Sequence, residues 1–230
     1  IGLVVLLIAR QPDLGTSLLI GASGVYVLFF SGVRVMLLKN KWLNLLLLSS
    51  LLGGSLFLAW NYFLIAYQKR RILTLFNPES DPLGSGYHII QSKIAIGSGG
   101  FTGKGITKGS QSQLDFVPEQ STDFIFSVLA EELGFLGVLL LIIIYSLIIY
   151  RCLILSLRCE DNFSRLLGAS LTFVFFTYIF VNIGMVSGLL PVVGIPLPLI
   201  SYGGSSLITL MASFGIIMSI HKHKGPRYLQ

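Results

Sequence analysis

Phe116–Phe126, with the sequence FVPEQSTDFIF, closes the one long polar segment of an otherwise apolar chain. It places two carboxylates, Glu119 and Asp123, shortly before a stretch that carries no charge from Leu133 to Tyr150. A carboxylate at the mouth of a membrane span is costly to hold unless it is hydrated, paired or used. We therefore predict that the apolar spans carry this polar segment, and that Asp123 is its functional residue.

The composition is typical of an integral membrane protein. Of the 230 residues, 53% are hydrophobic and 11% are charged, and the mean hydropathy is +0.82. A soluble domain carries about a quarter charged residues, so this chain has too few charges to cover a soluble surface. The formal charge of +6 is not gathered in a long basic run, which argues against nucleic-acid binding. Cys152 and Cys159 fit no zinc or redox spacing and are predicted to be free thiols.

The uncharged stretches predict an all-α, polytopic transmembrane helix bundle, with one membrane domain over residues 1–230. About 20 apolar residues are needed to cross the hydrocarbon core. Because the chain begins inside an apolar stretch, we expect a fragment whose first residues are the tail of a span. Prolines and a glycine between 191 and 198 divide the last stretch into two spans. The predicted spans are residues 1–9 (a tail), 14–33, 42–68, 123–150, 166–186 and 201–220.

The basic residues predict the orientation of these spans. They cluster in residues 34–41, in residues 151–165 and in the C-terminal tail, and alternation of the spans puts all three clusters on one side. Short loops rich in Lys and Arg mark the cytoplasmic side. Residues 69–122 then form a large extracytoplasmic loop, and the loop 191–198 faces the same way. Within the large loop, Gly86 to Ile96 is expected to form a helix that lies on the membrane.

Asp123 is the first candidate for chemistry. In the first turn of a helix, backbone N–H groups and the helix dipole favour its ionised form, and such a carboxylate near a low-dielectric boundary can act as a general base. An acid that merely helps to start a helix is found at the same place, with Ser121 or Thr122 as the N-cap. Glu119 can bind a cation or a sugar hydroxyl, or can be a solvated loop acid.

The glycine-rich run Gly97–Gly105 fails the Walker pattern. Its backbone N–H groups, together with Lys104 and Lys108, can nevertheless hold a phosphate. A flexible loop that needs glycines in order to turn has the same composition. Glu131 and Glu132 lie deeper, and one of them is expected to pair with a basic residue inside the bundle.

Further polar residues lie at the ends of the spans that face the large loop. Arg70 and Arg71 can meet a pyrophosphate headgroup or ordinary anionic lipid. Ser201 opens the last span, where a helix N-terminus can bind an anion or form only a capped turn. His88 is expected to be solvated. Together these features describe an outward cavity that suits a substrate with a lipid tail, a phosphate group and a polar head.

Six linked motifs resemble the shape, elongation, division and sporulation (SEDS) family, which includes RodA and FtsW. They occur in the family's order and spacing, from Gln11 almost to the end of the chain. The run Gln91–Gly100 resembles RodA more than FtsW. The motifs are QPDLGT (11–16), NPESDP (77–82), GYHIIQS (86–92), PEQSTDFIF (118–126), EELG (131–134) and PLPLISYGGSS (196–206).

The resemblance implies a multi-pass protein of the bacterial inner (cytoplasmic) membrane with about ten spans, of which this chain would hold about the last six. It implies a peptidoglycan glycosyltransferase that polymerises lipid II, the undecaprenyl-pyrophosphate-linked disaccharide peptide, for cell-wall elongation and cell shape. The active face would be extracytoplasmic, and a class B penicillin-binding transpeptidase would be the partner. The family's essential acidic residue falls on Asp123, while Ser121 stands where many members carry His.

The mechanism that follows uses Asp123 as general base towards the 4-hydroxyl of the acceptor sugar. Basic residues or a divalent cation, Mg or Mn, would neutralise the departing lipid pyrophosphate. One base and a departing phosphate imply inversion at the anomeric carbon. The predicted substrate-binding residues are Arg70, Arg71, Lys104, Glu119 and Ser201.

Two other functions fit the same sequence. A lipid II flippase could use the polar residues Asn61 and Asn182 to line a path. Transporters, however, usually place ionisable groups near the midplane, whereas the charges here gather at the outer end. A non-catalytic scaffold of the elongation or division machinery fits the broad loop and the basic tail, but it leaves the carboxylates unexplained.

Overall fold

The computed structural model describes residues 1–11, 13–32, 50, 54, 57, 59–82, 84–113, 119 and 121–222. Within these ranges every regular element is helical, which confirms the all-α class. The α-helices are α1 (Gly2–Ala9), α2 (Leu14–Phe30), α3 (Ala66–Phe76), α4 (Ser85–Gly99), α5 (Ser110–Gln113), α6 (Ile125–Leu157), α7 (Asn162–Val186) and α8 (Gly204–Lys222), with a π-helix at Ala59–Phe63 and a 3-10 helix at Pro78–Ser80.

Three of the described helices, α6, α7 and α8, are long and apolar enough to cross a membrane, and α2 is a shorter apolar helix. They coincide closely with four predicted spans. The predicted span 42–68 falls mostly outside the described residues, as does most of the basic tail. The basic segment 34–41 falls wholly outside them. The two cysteines are free thiols, as predicted, and both are buried.

The core lies around α7, which packs against both α2 and α6. Half of the most apolar stretch of α7 is buried, compared with 17% for α6 and 11% for α8. On the side facing α2, the hydroxyl groups of Tyr26 and Thr177 share a hydrogen bond of 2.6 Å, and Phe30 packs edge-on against Phe173. The outer faces of α6 and α8 therefore present apolar side chains to their surroundings, as membrane-spanning helices do.

In its described residues, the segment between Lys69 and Thr122 is largely helical. The predicted helix at Gly86–Ile96 is present as α4, which packs mainly against α6. Small residues on its inner face allow this close approach; a Cβ atom on Gly99, for example, would overlap the carbonyl oxygen of Ala130. The polar segment is thus folded back onto the end of the spans, which is what builds a cavity there.

A break in α6 at Gly134 anchors the glycine-rich run. Gly134 has φ 65° and ψ −164°, so the helix loses backbone hydrogen bonds on both sides of it. Residues 100–105 enter the break and replace those bonds, so the run is a packed structural element. The bonds are Phe135 N to Gly100 O (3.0 Å), Leu136 N to Phe101 O (3.2 Å), Lys104 N to Glu131 O (3.1 Å) and Gly105 N to Glu132 O (2.9 Å).

The break predicts a large effect of Gly134→Ala on stability. The backbone region of Gly134 is essentially restricted to glycine, and an added Cβ would overlap the backbone nitrogen of Gly103. Strain of about 1–3 kcal/mol and overpacking of about 1–3 kcal/mol give an expected loss of about 3 kcal/mol or more. Thermal unfolding of the full-length protein in detergent measures this loss.

Gly97→Ala is the matched control, because an added Cβ there meets no atom within 4 Å. Its free energy of unfolding should stay unchanged or rise by up to about 1 kcal/mol. Equal melting temperatures for the two variants would contradict the assigned break.

Candidate active site

A cavity of about 330 Å³ opens where α3, α4 and the chain after α7 meet at one end of the bundle. Its lining confirms that the polar segment and the loop between α7 and α8 lie at the same end. It brings together four of the six predicted site residues, and leaves Lys104 and Ser201 outside its lining. The Arg, Asp, Glu and His side chains that line it are Arg70, Arg71, Asp81, His88, Glu119 and Asp123.

Asp123 lies just before α6, in a turn rather than in the first helical turn. The N-cap residue of α6 is Phe124, which makes no side-chain capping bond. The predicted N-cap at Ser121 or Thr122 is therefore wrong. The Thr122 hydroxyl instead donates to the Glu119 carboxylate at 2.9 Å, which holds the second acid of the cavity beside the first.

The electrostatic environment of Asp123 differs from the sequence-based expectation. Burial raises the pKa of the Asp123 carboxyl, the negative charge of Glu119 raises it further, and Arg71 acts in the opposite direction. The ionised form is therefore disfavoured rather than stabilised by a helix dipole. A carboxylate whose pKa is raised towards neutral pH accepts a proton more readily, and this property suits a general base.

Arg70 and Arg71 are both held in place at the cavity wall. Arg70 forms an ion pair of 2.8 Å with Asp81, whose side chain is 13% exposed, while the Arg70 side chain is 67% exposed. The guanidinium carbon of Arg71 lies 4.4 Å from the centre of the Tyr67 ring. Planar guanidinium groups fixed in this way, with donors still free, are suited to binding phosphate oxygens.

His88 was not predicted as a site residue, and it is half-buried rather than fully solvated. It lies in the cavity wall and stacks on Phe124, with the ring centres 5.6 Å apart. Burial lowers the pKa of His88, opposed by the charge of Glu119, so the charged form of the ring is disfavoured. The only sequence signal for its role was its position in the GYHIIQS motif (86–92).

The turn that carries Asp123 is held from inside the bundle. Asn182 is fully buried, and its Nδ2 donates to the carbonyl oxygens of Asp123 at 2.8 Å and Ile195 at 2.7 Å. The Ser201 hydroxyl donates to the carbonyl oxygen of Thr122 at 2.5 Å. The structure therefore places Ser201 behind Asp123 as a support.

Lys104 lies away from the cavity and pairs with a buried acid. Its Nζ lies 2.7 Å from the carboxylate of Glu131, which is fully buried, and donates to Ser110 Oγ at 2.9 Å. The backbone N–H of Gln111 donates to the same carboxylate at 3.0 Å. This confirms that one of the two deeper glutamates pairs with a basic residue, and it gives Lys104 a structural role.

The described side chains do not fit a resident metal. No group of three or more His, Cys, Asp or Glu side chains in the described ranges is arranged to hold an ion. In the cavity, Asp81 is already engaged by Arg70 and Ser85, which leaves the two acids Glu119 and Asp123. The cationic side chains that the described lining itself offers to a phosphate are Arg70 and Arg71.

The fold and the site together define a class: a helical membrane protein with a charged cavity at one end of its spans. The family described as "Cell cycle protein" (FTSW_RODA_SPOVE) matches residues 1–225. The chain belongs to this family, which confirms the resemblance of its motifs.

Curated relatives support the closer likeness to RodA. The peptidoglycan glycosyltransferase MrdB of Escherichia coli (strain K12) is 55% identical over 219 residues, which cover 95% of this chain and 57% of that protein. The peptidoglycan glycosyltransferase RodA of Treponema pallidum is 47% identical over 67% of this chain and 36% of its own length. A probable FtsW of Trichlorobacter lovleyi is 38% identical over 93% of this chain and 54% of its own length.

Solved structures show the same fold. A structure reported as "Structural coordination of polymerization and crosslinking by a peptidoglycan synthase complex" matches 95% of this chain and 58% of its own, with 34% identity and a TM-score of 0.72. A mutant of the rod shape determining protein RodA of Thermus thermophilus matches 99% of this chain and 55% of its own, with 29% identity and a TM-score of 0.60. The chain thus spans about half the length of the relatives that it matches over most of its residues.

The structural role of Lys104 is testable by comparison with Lys108, which is exposed. Lys104→Met strands the fully buried carboxylate of Glu131, and removing one partner of a buried pair costs about 3–5 kcal/mol. We expect the free energy of unfolding to fall by about 3 kcal/mol, and to change by less than about 0.5 kcal/mol in Lys108→Met. Thermal unfolding of the full-length protein measures both. Weaker substrate binding with unchanged stability in Lys104→Met would instead support the phosphate-binding role.

Proposed function

We propose that this chain is part of a peptidoglycan glycosyltransferase that polymerises lipid II at the extracytoplasmic face of the bacterial cytoplasmic membrane, for cell-wall elongation and cell shape. The observation that carries the proposal is the placement of Asp123. It is a half-buried carboxylate with a raised pKa, in a cavity with two arginines, at the end of apolar spans. The names of the curated relatives support the same activity.

In the proposed reaction, the 4-hydroxyl oxygen of the acceptor sugar attacks the anomeric carbon of the growing strand. Asp123 accepts the hydroxyl proton as the new carbon–oxygen bond forms. The bond to the lipid pyrophosphate breaks at the same time, and its electron pair leaves with the pyrophosphate oxygen. Attack opposite to the leaving group inverts the anomeric carbon. No general acid is needed, because a pyrophosphate is a stable anion once its charge is neutralised.

Besides Asp123, three other charged groups of the cavity have a role in the proposed reaction. Arg70 and Arg71 bind the pyrophosphate oxygens, since both guanidinium groups line the same cavity as the base. Glu119 contacts a sugar hydroxyl and, through its charge, keeps the pKa of Asp123 high. A class B penicillin-binding transpeptidase is the proposed partner. The matched peptidoglycan synthase complex, which couples polymerisation with crosslinking, supports a partner of that kind.

The contacts of Asn182 and Asn61 do not favour the alternative function as a lipid II flippase. Both donors of Asn182 Nδ2 are taken by backbone carbonyl groups, and Nδ2 of Asn61 donates to the carbonyl oxygen of Phe57. These amides therefore serve the protein's own backbone. A scaffold without catalysis would have no use for a carboxylate held in a cavity at a raised pKa, so the glycosyltransferase reading explains more of the site.

Asp123→Asn tests the base directly, because the amide keeps the shape of the side chain but cannot accept the proton. We expect the initial rate of polymerisation to fall by about two to four orders of magnitude. The assay uses the full-length protein with its transpeptidase partner and labelled lipid II, and it measures rate and glycan length.

Asp161→Asn is the control for Asp123→Asn. Asp161 is an exposed N-cap that accepts from the backbone N–H of Ser164, and Asn caps a helix equally well, so the rate should stay at the wild-type level. Near-normal polymer from Asp123→Asn would refute the assignment of the base. Lipid II crossing vesicles without polymer from the wild type would favour the transporter.

The pH dependence of the rate gives a second test. A protonated Asp123 cannot accept a proton, so the rate falls as the pH falls through the pKa of Asp123. Glu119→Gln removes a charge that raises this pKa, and the acidic limb of the profile should move to lower pH. Arg71→Gln removes a charge that lowers it, and the limb should move to higher pH. Shifts in the same direction for the two variants would contradict the assigned electrostatics.

A further inference from the structure

We propose that Ser201 and Asn182 are positioning residues for Asp123, and that residues 187–203, the loop between α7 and α8, are thereby a working part of the active site. The inference rests on the proposed function, since it assigns a role towards the same base. It starts from a contrast at Asp123. Its backbone carbonyl accepts a hydrogen bond from Asn182, whereas none of the described residues donates a hydrogen bond to its carboxylate.

This contrast matches what a general base requires. A carboxylate that is bound by donors loses basicity, because hydrogen bonds to the charged form lower its pKa. A carboxylate that is free but mobile loses the alignment with the attacking hydroxyl, and a misplacement of about 1 Å can cost about 100-fold in rate. Holding the main chain and leaving the carboxylate free satisfies both requirements.

Ser201 supplies one half of this support. Its hydroxyl accepts from the backbone N–H of Leu197 at 2.7 Å and donates to the carbonyl oxygen of Thr122 at 2.5 Å. The next residue, Tyr202, donates its backbone N–H to the carbonyl oxygen of Ser121 at 2.9 Å. The hydroxyl proton of Ser201 is therefore used in the hydrogen bond to Thr122, the residue before Asp123, and is not available to bind a phosphate.

Asn182 supplies the other half from within α7. It has no exposed surface, and its two amide hydrogens go to the carbonyl oxygens of Asp123 and Ile195. The Asn182 side chain therefore connects α7 both to the loop between α7 and α8 and to the backbone of Asp123. A buried amide whose donors are both satisfied holds its partners in one arrangement, because any displacement leaves a buried polar group unpaired.

Gly194 shows that the same loop also contacts the carboxylate side of Asp123. It has φ +74°, and a Cβ atom built on it would lie 3.3 Å from Asp123 Oδ2. The loop backbone therefore forms the wall against which the carboxylate rests. Supports on the main chain and a wall beside the side chain define the position of the base without a donor on its oxygens.

The test uses Ser201→Ala in the full-length protein with its transpeptidase partner and labelled lipid II. We expect kcat to fall by about 10- to 100-fold while KM for lipid II changes little. Ser201→Thr keeps the hydroxyl and should recover most of the rate. In the Asp123→Asn background, Ser201→Ala should have no further effect, because residues that act through one group are not additive. Ser205→Ala, an exposed serine of the same SYGGSS run, should leave the rate unchanged.

Several results would overturn the inference. A higher KM with unchanged kcat would make Ser201 a substrate contact, and an equal loss of rate in the Asp123→Asn background would make its role purely structural. If Ser201→Ala does not fold, Ser201→Cys provides the same comparison with a weak donor of similar size. A wild-type rate in Ser201→Ala, with polymerisation still lost in Asp123→Asn, would refute this inference alone. Absence of polymer from the wild type would refute the proposed function.

Discussion

The cost of holding a carboxylate near an apolar bundle governs this structure. Glu131 has no exposed surface, and its charge is stabilised by the ion pair with Lys104 and by neighbouring hydrogen-bond donors. Asp81 is nearly as buried, and its charge is stabilised by the ion pair with Arg70. Asp123 is half-buried and receives no comparable partner from the described residues, so the cost is expressed as a raised pKa. Among these three acids, Asp123 is the one that lacks such a partner, and it is therefore the one that can take up a proton. Carboxyl groups with a perturbed pKa are found preferentially at functional sites.

The break in α6 makes this arrangement possible. A continuous helix from Ile125 to Leu157 would leave the glycine-rich run without backbone partners beside an apolar surface, where unpaired peptide groups cost several kcal/mol. Gly134 opens the helix, and residues 100–105 exchange four hydrogen bonds with its two sides. The same junction places Lys104 against Glu131. One glycine conformation therefore fixes the polar segment to the span that begins beside Asp123.

The sequence was sufficient to predict the elements that depend on local pattern. Charge-free stretches located the spans, and the helix at Gly86–Ile96 followed from its composition. The position of Asp123 before a span singled it out. The contacts of two predicted substrate-binding residues, Ser201 and Lys104, join distant parts of the chain. Ser201 bonds to a carbonyl 79 positions away, and Lys104 pairs with an acid 27 positions away. Neither local spacing nor composition carries such information, so each was assigned the substrate contact that its charge or its helix end allowed.

The charges around Asp123 also couple binding to reactivity in the proposed reaction. Arg71 lowers the pKa of Asp123, while Glu119 raises it. A pyrophosphate that binds to Arg71 would offset the positive charge and bring further negative charge into the cavity. Both changes raise the pKa of Asp123, because they disfavour its ionised form. The carboxylate would thus be a stronger base when the donor substrate is in place than when the cavity is empty. Residues 187–203 carry no charged side chain and so do not shift the pKa of Asp123 through charge. Their role in the coupling is to hold Asp123 in a position where the charges of Arg71 and Glu119 both act on it.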